Sequence, residues 1–394
     1  MQNKKIDFSG ILFIFTAALV IRLVPLFNAA AWTDLYEQQA IPILNHLNIY
    51  SSTHMVFPYS PVSMFLPALC AKITIFTKIP FHIIMRFPAI LADAFIALAL
   101  YAVLSGTGRR GAYLIGLLYA LNPVSILISS FHGNIITIPT LFSFLAYTVL
   151  LFGVEKNYRL SALLLGLAIG FRGYPVLLLP LFLIKLKLPP AEKIKYAAYA
   201  IIPTALSFIP FLLLDWRSVM REVFAYSGFP DYGIAAILRA AYSLKNHILA
   251  YGLPGNMLAA LSGYTKILFL AVYAAILAAS PKRKLASSIL AVFVAFYFIY
   301  SGISSQYLIW VLPFAFLTRD RMLKYYMIFA TWALVNFYWL YHPHIIFGKT
   351  APIALSPAGL LAGEVISLTA LWGTCLIWLA MLLLGKGGPD ETVI

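Results

Sequence analysis

Residues 28–60 read NAAAWTDLYEQQAIPILNHLNIYSSTHMVFPYS and hold no lysine or arginine, although the whole chain carries a formal net charge of +15. The segment contains Asp34, Glu37, His46 and His54, and long apolar stretches flank it on both sides. Cytoplasmic loops of membrane proteins concentrate Lys and Arg, so a cation-free segment beside a membrane is typical of a non-cytoplasmic loop. The segment therefore predicts a polar outer loop between membrane helices.

The composition excludes a water-soluble globule. The chain has 394 residues, of which 62% are hydrophobic and only 10% are charged, whereas average soluble domains carry about 25% charged residues. Apolar runs long enough to cross a hydrocarbon core of roughly 30 Å recur along the chain. We therefore expect an all-α polytopic membrane protein with a single membrane domain over residues 1–394. The scattered cations argue against nucleic acid as a partner, because nucleic-acid binding gathers them on one face.

Cation-rich turns set the expected topology, because each should face the cytoplasm. Satisfying them gives a bundle of about twelve transmembrane helices with both ends inside. Outer loop one covers 28–86 with juxtamembrane helices, outer loop two covers 215–262, and C-terminal helices cover 263–384. The stretch Pro61 to Phe76 is treated as re-entrant or amphipathic rather than spanning, because a span would place Arg109–Arg110 outside. The host membrane is the plasma membrane in a prokaryote or the endoplasmic reticulum in a eukaryote.

Carboxylates outside the cytoplasmic turns are the first candidates for chemistry. Asp34 follows Trp32-Thr33 beyond the first span, and a positioned carboxylate there could take a proton from a hydroxyl group. A helix cap or an interfacial anion is the alternative for Asp34. Glu37 lies three residues later and could share its helical face, as a second acid, a metal ligand or a solvated charge. Two other acids, Asp93 and Glu364, lie within spans, where a polar link between helices is favoured.

Candidate phosphate ligands lie at helix junctions. Arg172 is at the tip of a short hairpin, between apolar segments at 160–171 and 176–186. Its guanidinium suits phosphate oxygens, although snorkelling to the interface is the alternative. His132 and Asn134 stand at an outer helix junction and are further candidates for phosphate binding. Asp231, an acid, lies in outer loop two.

Several short motifs resemble the GT-C membrane glycosyltransferases, which use polyprenyl- or dolichyl-phosphate sugars. One branch, the GPI mannosyltransferase I catalytic subunits, is similar in its SQY-x-x-W stretch. The dolichyl-phosphate-glucose-dependent glucosyltransferases are similar in two further patches. The resembling segments are Thr33-Asp34-Leu35-Tyr36, Ile49-Tyr50, Pro58-Tyr59-Ser60-Pro61, Ser130-Phe131-His132-Gly133-Asn134, Gly170-Phe171-Arg172-Gly173-Tyr174-Pro175 and Ser305-Gln306-Tyr307-Leu308-Ile309-Trp310 with Leu312-Pro313.

The resemblance implies a GT-C-like bundle whose active site faces the outer or lumenal side. It implies transfer of a hexose, with mannose favoured, from a polyprenyl-phosphate donor to a glycolipid or lipid-linked oligosaccharide. Asp34 would be the catalytic base, with Glu37 as the second acid. The donor phosphate and lipid would meet His132, Asn134, Arg172, Gln306 and Tyr307, and the acceptor or sugar would meet Tyr59 and Asp231.

Three points stay open in this interpretation. The mannosyltransferase subunits carry an Asp-x-Asp pattern, whereas this loop offers only Asp34 and Glu37, so use of a divalent metal such as Mg or Mn is undecided. A transporter or flippase is the alternative, because the interrupted hairpin at 160–186 resembles the broken helices of substrate sites. A non-catalytic protein that holds a lipid-linked saccharide is a third reading, and a partner subunit is compatible with each.

Overall fold

The chain folds almost entirely into helices. A computed structural model describes residues 7–27, 33–52, 57–108, 111–153, 157–226, 228–254, 256–343 and 357–385. About 82% of the structure is helical and the described residues form no strand. The all-α prediction is confirmed, as expected where backbone groups in lipid must be paired within their own segment.

The helices fall into two compact units. Unit 1 comprises Met1–Ala120 and Ser129–Tyr226, and unit 2 comprises Leu121–Ile128 and Ser227–Ile394. The helices of unit 1 are α1 (Phe8–Leu23), α2 (Thr33–Leu44), α3 (Ile49–Ser52), α4 (Phe65–Thr77), α5 (Phe81–Gly106), α6 (Ala112–Ala120), α8 (Thr137–Gly153), α9 (Tyr158–Phe171), α10 (Leu178–Lys185) and α11 (Pro190–Val219). Those of unit 2 are α7 (Pro123–Ile126), α12 (Gly233–Asn246), α13 (Met257–Ala279), α14 (Leu285–Ile299), α15 (Leu312–Thr318), α16 (Leu323–Tyr341) and α17 (Pro357–Leu383).

Among the described residues, six helical segments are long and apolar enough to cross a membrane, so this is an integral membrane protein by helix length and composition. They are Phe8–Leu26, Phe81–Gly106, Ala112–Phe131, Pro190–Phe224, Met257–Lys282 and Ala358–Leu383. Other apolar helices, including Pro61–Thr77 and Leu285–Ile299, are only 10–17 residues long. The expected count of twelve spans is therefore not confirmed, because several apolar runs form helices shorter than the roughly 20 residues that a span requires.

A buried ion pair joins the first helices of unit 1. Arg22 Nε of α1 lies 2.8 Å from Asp93 Oδ2 of α5, and both side chains are fully buried. Tyr119 Oη and Ser129 Oγ also donate to the Asp93 carboxylate, at 2.8 and 2.9 Å. Since a carboxylate within a span is costly unless it is paired, this arrangement confirms the predicted structural link for Asp93.

A second buried ion pair joins α12 and α17 of unit 2. Arg239 Nη2 lies 2.5 Å from Glu364 Oε1, and both side chains are 1% exposed. Tyr341 Oη donates to Glu364 Oε2 at 3.2 Å, and the Arg239 guanidinium lies 4.5 Å from the centre of the Tyr341 ring. The expected polar link for Glu364 is likewise confirmed.

The expected outer loops contain more helix than their composition suggested. Helices α2, α3 and α4 occupy much of loop one, and α5 begins at Phe81, so Arg86 belongs to a buried helix face. In loop two, α11 kinks at Asp215 (φ −158°, ψ 82°) and α12 follows from Gly233. Both cysteines, Cys70 in α4 and Cys375 in α17, are free and buried.

Candidate functional site

Helix α2 carries the acidic motif of outer loop one. Its buried positions, Thr33, Tyr36, Gln39 and Ala40, recur at helical spacing and turn one face toward the rest of unit 1, whereas Glu37 is exposed. The Gln39 side chain is 2% exposed, and its amide has no hydrogen-bond partner among the described residues. Since buried polar groups normally have partners, this amide is a place for a water molecule or a ligand.

Asp34 lies in the first turn of α2. Its side chain falls outside the described part of the structure. By helical register, position 34 shares a face with Glu37 (i+3), Gln38 (i+4) and Ile41 (i+7), which are all exposed. The expectation that positions 34 and 37 share a helix face is confirmed at the level of the backbone.

The Phe131–Asn134 turn packs against the start of α2. Gly133 has a left-handed backbone (φ +70°), and a Cβ atom there would lie 2.8 Å from Arg86 Cγ and 3.3 Å from Thr33 Cγ2. Only glycine therefore fits this position without strain. The turn follows a π-helical stretch at Leu127–Phe131, and such stretches are frequent at functional sites.

The two polar residues beside Gly133 are both buried. His132 is 2% exposed and Asn134 is 5% exposed. Asn134 Oδ1 accepts a hydrogen bond of 3.0 Å from the Ile136 amide, just before α8 begins. The Asn134 oxygen thus has a local structural partner, and phosphate binding by His132 and Asn134 stays a prediction.

Arg172 is the best-defined part of the site. It ends α9 at the break before the short helix Tyr174–Leu177, so the predicted interruption of the hairpin is confirmed. Although it is a cation, its side chain is only 4% exposed. The guanidinium carbon lies 3.6 Å from the centre of the Tyr59 ring, and Nη2 donates to Tyr36 Oη at 3.2 Å. The other nitrogen, Nη1, donates to the Phe171 carbonyl at 3.2 Å.

Neutral groups therefore surround the Arg172 cation. Burial raises the pKa of Tyr36 to about 12, so this phenol is uncharged at neutral pH. Among the residues that the structure describes, no carboxylate lies within ion-pair distance of Arg172. A buried charge is costly unless it is paired, and a planar guanidinium matches the oxygens of a phosphate. The surroundings of Arg172 suit the binding of an anion.

The segments that carry Tyr36, Tyr59 and Arg172 are tied together by further contacts. Ser60 Oγ donates to the Gly170 carbonyl through a short hydrogen bond, and Tyr36 also bonds to the backbone of Ile135. Tyr36 thus links the hairpin break at Arg172 to the turn that follows Asn134, and Arg172 links that break to Tyr59. Sequence motifs alone singled out Tyr59 and Arg172, but they did not reveal that Arg172 contacts both Tyr36 and Tyr59.

Arg86 was also missed as a site residue. It is 1% exposed, and its Nη1 donates to the Pro25 carbonyl at 2.8 Å. The usable signal was its spacing, because Arg86 and Asp93 are two helical turns apart and so share the buried face of α5. Arg86 is therefore, like Arg172, a buried cation of unit 1.

The remaining predicted site residues lie in unit 2. Asp231 and Tyr232 precede α12, and both amides donate to the Ile303 carbonyl, at 3.1 and 3.0 Å. The amide of Ser305 donates to Asp231 Oδ2 at 3.3 Å, and Ser305 Oγ donates to Gln306 Oε1 at 3.3 Å. The structure thus brings Asp231 and Gln306 to a common neighbour.

Close backbone packing fixes the junction of unit 2, defined here as segment 228–232 against segment 302–306. Gly228 (φ +82°) approaches Gly302 so closely that a Cβ atom at 228 would lie 2.4 Å from the Gly302 oxygen. Tyr307 is half-buried, and its ring stacks on Trp310 with 4.5 Å between the ring centroids. The SQY-x-x-W stretch therefore forms a rigid 3₁₀ turn that ends on an aromatic pair.

A metal centre is not evident in the described residues. No group of three or more His, Cys, Asp or Glu side chains among them is arranged to hold an ion. The side chain of Asp34 is not among the described residues, so binding of Mg or Mn by Asp34 and Glu37 stays a prediction.

Comparison with known proteins assigns no family. No protein-family model matches the chain, and no curated protein matches it significantly.

Proposed function

We propose that this chain is a membrane glycosyltransferase. It would transfer a hexose, with mannose favoured, from a polyprenyl-phosphate donor to a glycolipid or lipid-linked oligosaccharide on the non-cytoplasmic face. The observation that carries the proposal is Arg172, a buried guanidinium beside the neutral Tyr36 phenol and the Tyr59 ring, with no described carboxylate to balance it. A lipid-anchored phosphate supplies the missing negative charge from within the membrane.

Arg172 would act on the leaving group. Its Nη1 and Nη2 atoms bond to an uncharged carbonyl and an uncharged phenol, so a phosphate can take over these donors without separating an existing ion pair. Charge grows on the phosphate oxygen as the bond to the sugar breaks, and a cation held in a dry site stabilises that charge. The Tyr59 ring keeps the guanidinium plane in place through its stacking contact.

Asp34 would act on the acceptor. Its carboxylate takes the proton of the acceptor hydroxyl, whose oxygen attacks the anomeric carbon from the side opposite the phosphate. The bond between the anomeric carbon and the phosphate oxygen breaks, and its electron pair leaves with the polyprenyl phosphate. A single displacement of this kind inverts the anomeric configuration. Glu37, three residues along the same helix face, is the candidate for a second acid or a metal ligand.

Buried amides and glycine support the same assignment. Gln39 lies one turn beyond Tyr36, and its amide, which has no partner among the described residues, is available to sugar hydroxyl groups. Gly133 allows the His132–Asn134 turn to contact Thr33, the residue before Asp34. These contacts would hold the base and the phosphate-binding groups on a common framework within unit 1.

The test is product formation by the purified chain. Labelled polyprenyl-phosphate mannose and polyprenyl-phosphate glucose are each incubated with candidate lipid acceptors, and new glycosides are separated and counted. We expect turnover with one donor and its loss in Asp34→Asn. The matched control is Asp7→Asn, because Asp7 caps the first turn of α1 through Ser9 and asparagine also caps helices. Full activity of Asp34→Asn would refute the role of Asp34.

A transporter or flippase of a lipid-linked saccharide is the second candidate. The break between α9 and α10 at Arg172 favours it, because interrupted helices often form substrate sites in transporters. In proteoliposomes this activity would move labelled substrate across the membrane without forming a glycosidic bond. A non-catalytic partner would bind the saccharide without either result.

A further inference from the structure

We infer that unit 2 contains a saccharide-binding subsite in which Asp231 and Gln306 recognise neighbouring hydroxyl groups of a neutral hexose. The choice of a sugar as ligand rests on the proposed glycosyltransferase function. The geometry of the subsite stands on its own contacts, and these are independent of the Arg172 site in unit 1.

Ser305 forms a hydrogen bond with each of the two recognition side chains, Asp231 and Gln306. Its amide donates to Asp231 Oδ2, and its hydroxyl donates to Gln306 Oε1. No described residue donates to Asp231 Oδ1 or accepts from Gln306 Nε2, and both side chains are only half-buried. The junction therefore presents one free acceptor and one free donor group, a pair that can accept from one sugar hydroxyl and donate to the next.

The residues next to Asp231 and Gln306 in the chain carry further polar groups. Tyr232 Oη and Ser304 Oγ are buried, at 1% and 2% exposure for their residues, and neither has a hydrogen-bond partner in the described part of the chain. Unsatisfied buried hydroxyl groups are uncommon in folded proteins. Next to Gln306, the Tyr307 ring stacks on Trp310, and aromatic rings offer an apolar surface to a sugar.

The charges around Asp231 explain why its carboxylate is available. Arg239 is a cation that interacts with Asp231, but Glu364 already binds it at 2.5 Å. Tyr232 and Tyr338 face Asp231 as neutral phenols. Burial raises the pKa of Asp231 from 3.8 to about 6, against a smaller lowering by Arg239 and by the Ser305 amide. The carboxylate is therefore ionised at neutral pH but lacks a counter-ion of its own.

The ligand class follows from this balance. A phosphate would be repelled by Asp231, since Glu364 occupies the only cation that faces it among the described residues. A neutral sugar hydroxyl is a good partner, because hydrogen bonds to an ionised acceptor are stronger than neutral ones. The predicted Asp231 and Gln306 sites thus become one subsite for sugar hydroxyls, and Gln306 is reassigned from the donor phosphate to the sugar.

The experiment measures binding of a simple sugar to the full chain in nanodiscs. Saturation-transfer NMR is recorded with methyl α-mannopyranoside and with methyl α-glucopyranoside, at pH 8 and pH 5, and affinities are taken from titrations. We expect saturable binding at pH 8, weaker by about tenfold at pH 5, where a group with a pKa of about 6 is mostly protonated. Asp231→Asn should weaken binding at pH 8 by about tenfold or more, and Gln306→Ala should also weaken it.

Asp320→Asn is the matched control. Asp320 is another buried carboxylate of unit 2 whose pKa is raised by burial, and it accepts a hydrogen bond of 2.8 Å from the Met322 amide. This variant should bind sugar like the wild type. Unchanged binding in Asp231→Asn, or no saturable binding by the wild type at either pH, would overturn the inference.

The two proposals fail separately. Turnover of a polyprenyl-phosphate sugar that is unaffected by Asp231→Asn, together with unchanged sugar binding, would remove the subsite and leave the glycosyltransferase. Sugar binding that depends on Asp231, with no turnover of any donor, would leave the subsite and remove the enzyme.

Discussion

Replacement of Arg172 gives the sharpest test of the donor-phosphate site. In Arg172→Gln the cation is lost while a polar side chain of similar length remains. Two unit charges about 4 Å apart interact by about 4 kcal/mol at an effective dielectric constant of about 20. If this energy is expressed in the transition state, kcat/KM for the donor falls by roughly a thousandfold. Arg172→Lys restores the charge but not the planar fork, so we expect a loss of about tenfold.

Stability separates a ligand-binding role from a structural one. Arg172 is buried without a described carboxylate partner, so its removal also removes a desolvated charge. We therefore expect the thermal midpoint of Arg172→Gln to equal or exceed that of the wild type in the absence of donor. A structural role, resting on the Tyr59 stacking contact, predicts instead that stability and activity fall together.

The assay uses labelled polyprenyl-phosphate sugar with the purified variants and an exposed arginine as the control. Arg159 also lies over a tyrosine ring, 5.8 Å from the centre of Tyr158, but it is exposed to solvent. Arg159→Gln should keep the wild-type kcat/KM. Donor turnover by Arg172→Gln within threefold or so of the wild type would contradict the donor-phosphate role of Arg172, since an interaction of about 4 kcal/mol could not then be present.

Three further outcomes are expected. Asp93→Asn should destabilise the protein by about 3–5 kcal/mol in chemical denaturation, because it leaves Arg22 buried without its carboxylate; a change below 1 kcal/mol or so would contradict that. Gly133→Ala should lower activity and thermal stability together, since its Cβ would lie 2.8 Å from Arg86 Cγ in a left-handed turn. Asp231→Asn should stabilise the fold by about 1 kcal/mol at pH 8, after allowance for solvent screening, but not at pH 4. The raised pKa means that the folded state disfavours the ionised form of Asp231, which prevails above pH 6. If Asp231→Asn and the wild type had equal unfolding midpoints at both pH values, this expectation would be wrong.

Local signals in the sequence predicted part of this fold. Helical structure, the broken hairpin before Arg172 and the need of Asp93 for a partner all follow from apolar periodicity or from the cost of a charge in lipid. Each of these features depends on residues close together in the chain or on one side chain in one environment. The structure confirms them.

Contacts between side chains that are far apart in the chain could not be predicted from the sequence. Arg22 is the partner of Asp93 across 71 positions, and Tyr36 meets Arg172 across 136 positions. No spacing rule connects residues so far apart, because helix packing brings them together. The number of spans could not be predicted either, since an apolar run does not reveal whether it will form a long helix or a short one next to a 3₁₀ turn.

The candidate site was predicted unevenly for the same reason. Motifs singled out Asp34 and Arg172 as candidates, and the assignment of acids to the outer loops singled out Asp231, because acids and arginines beside apolar segments are conspicuous. They missed Arg86 and Gln39, whose significance comes from burial at 1% and 2% exposure. Burial of a single polar residue depends on what packs over it, and that information appears only in the folded chain.

Formation of a glycosidic bond in sealed proteoliposomes tests the central claim most directly. Labelled polyprenyl-phosphate hexose and a lipid acceptor are supplied, and the anomeric configuration of any product is read by NMR. We expect a new glycoside of inverted configuration with the wild-type chain and none with Asp34→Asn. Transfer of the intact labelled donor to the opposite leaflet, with no new bond, would contradict it.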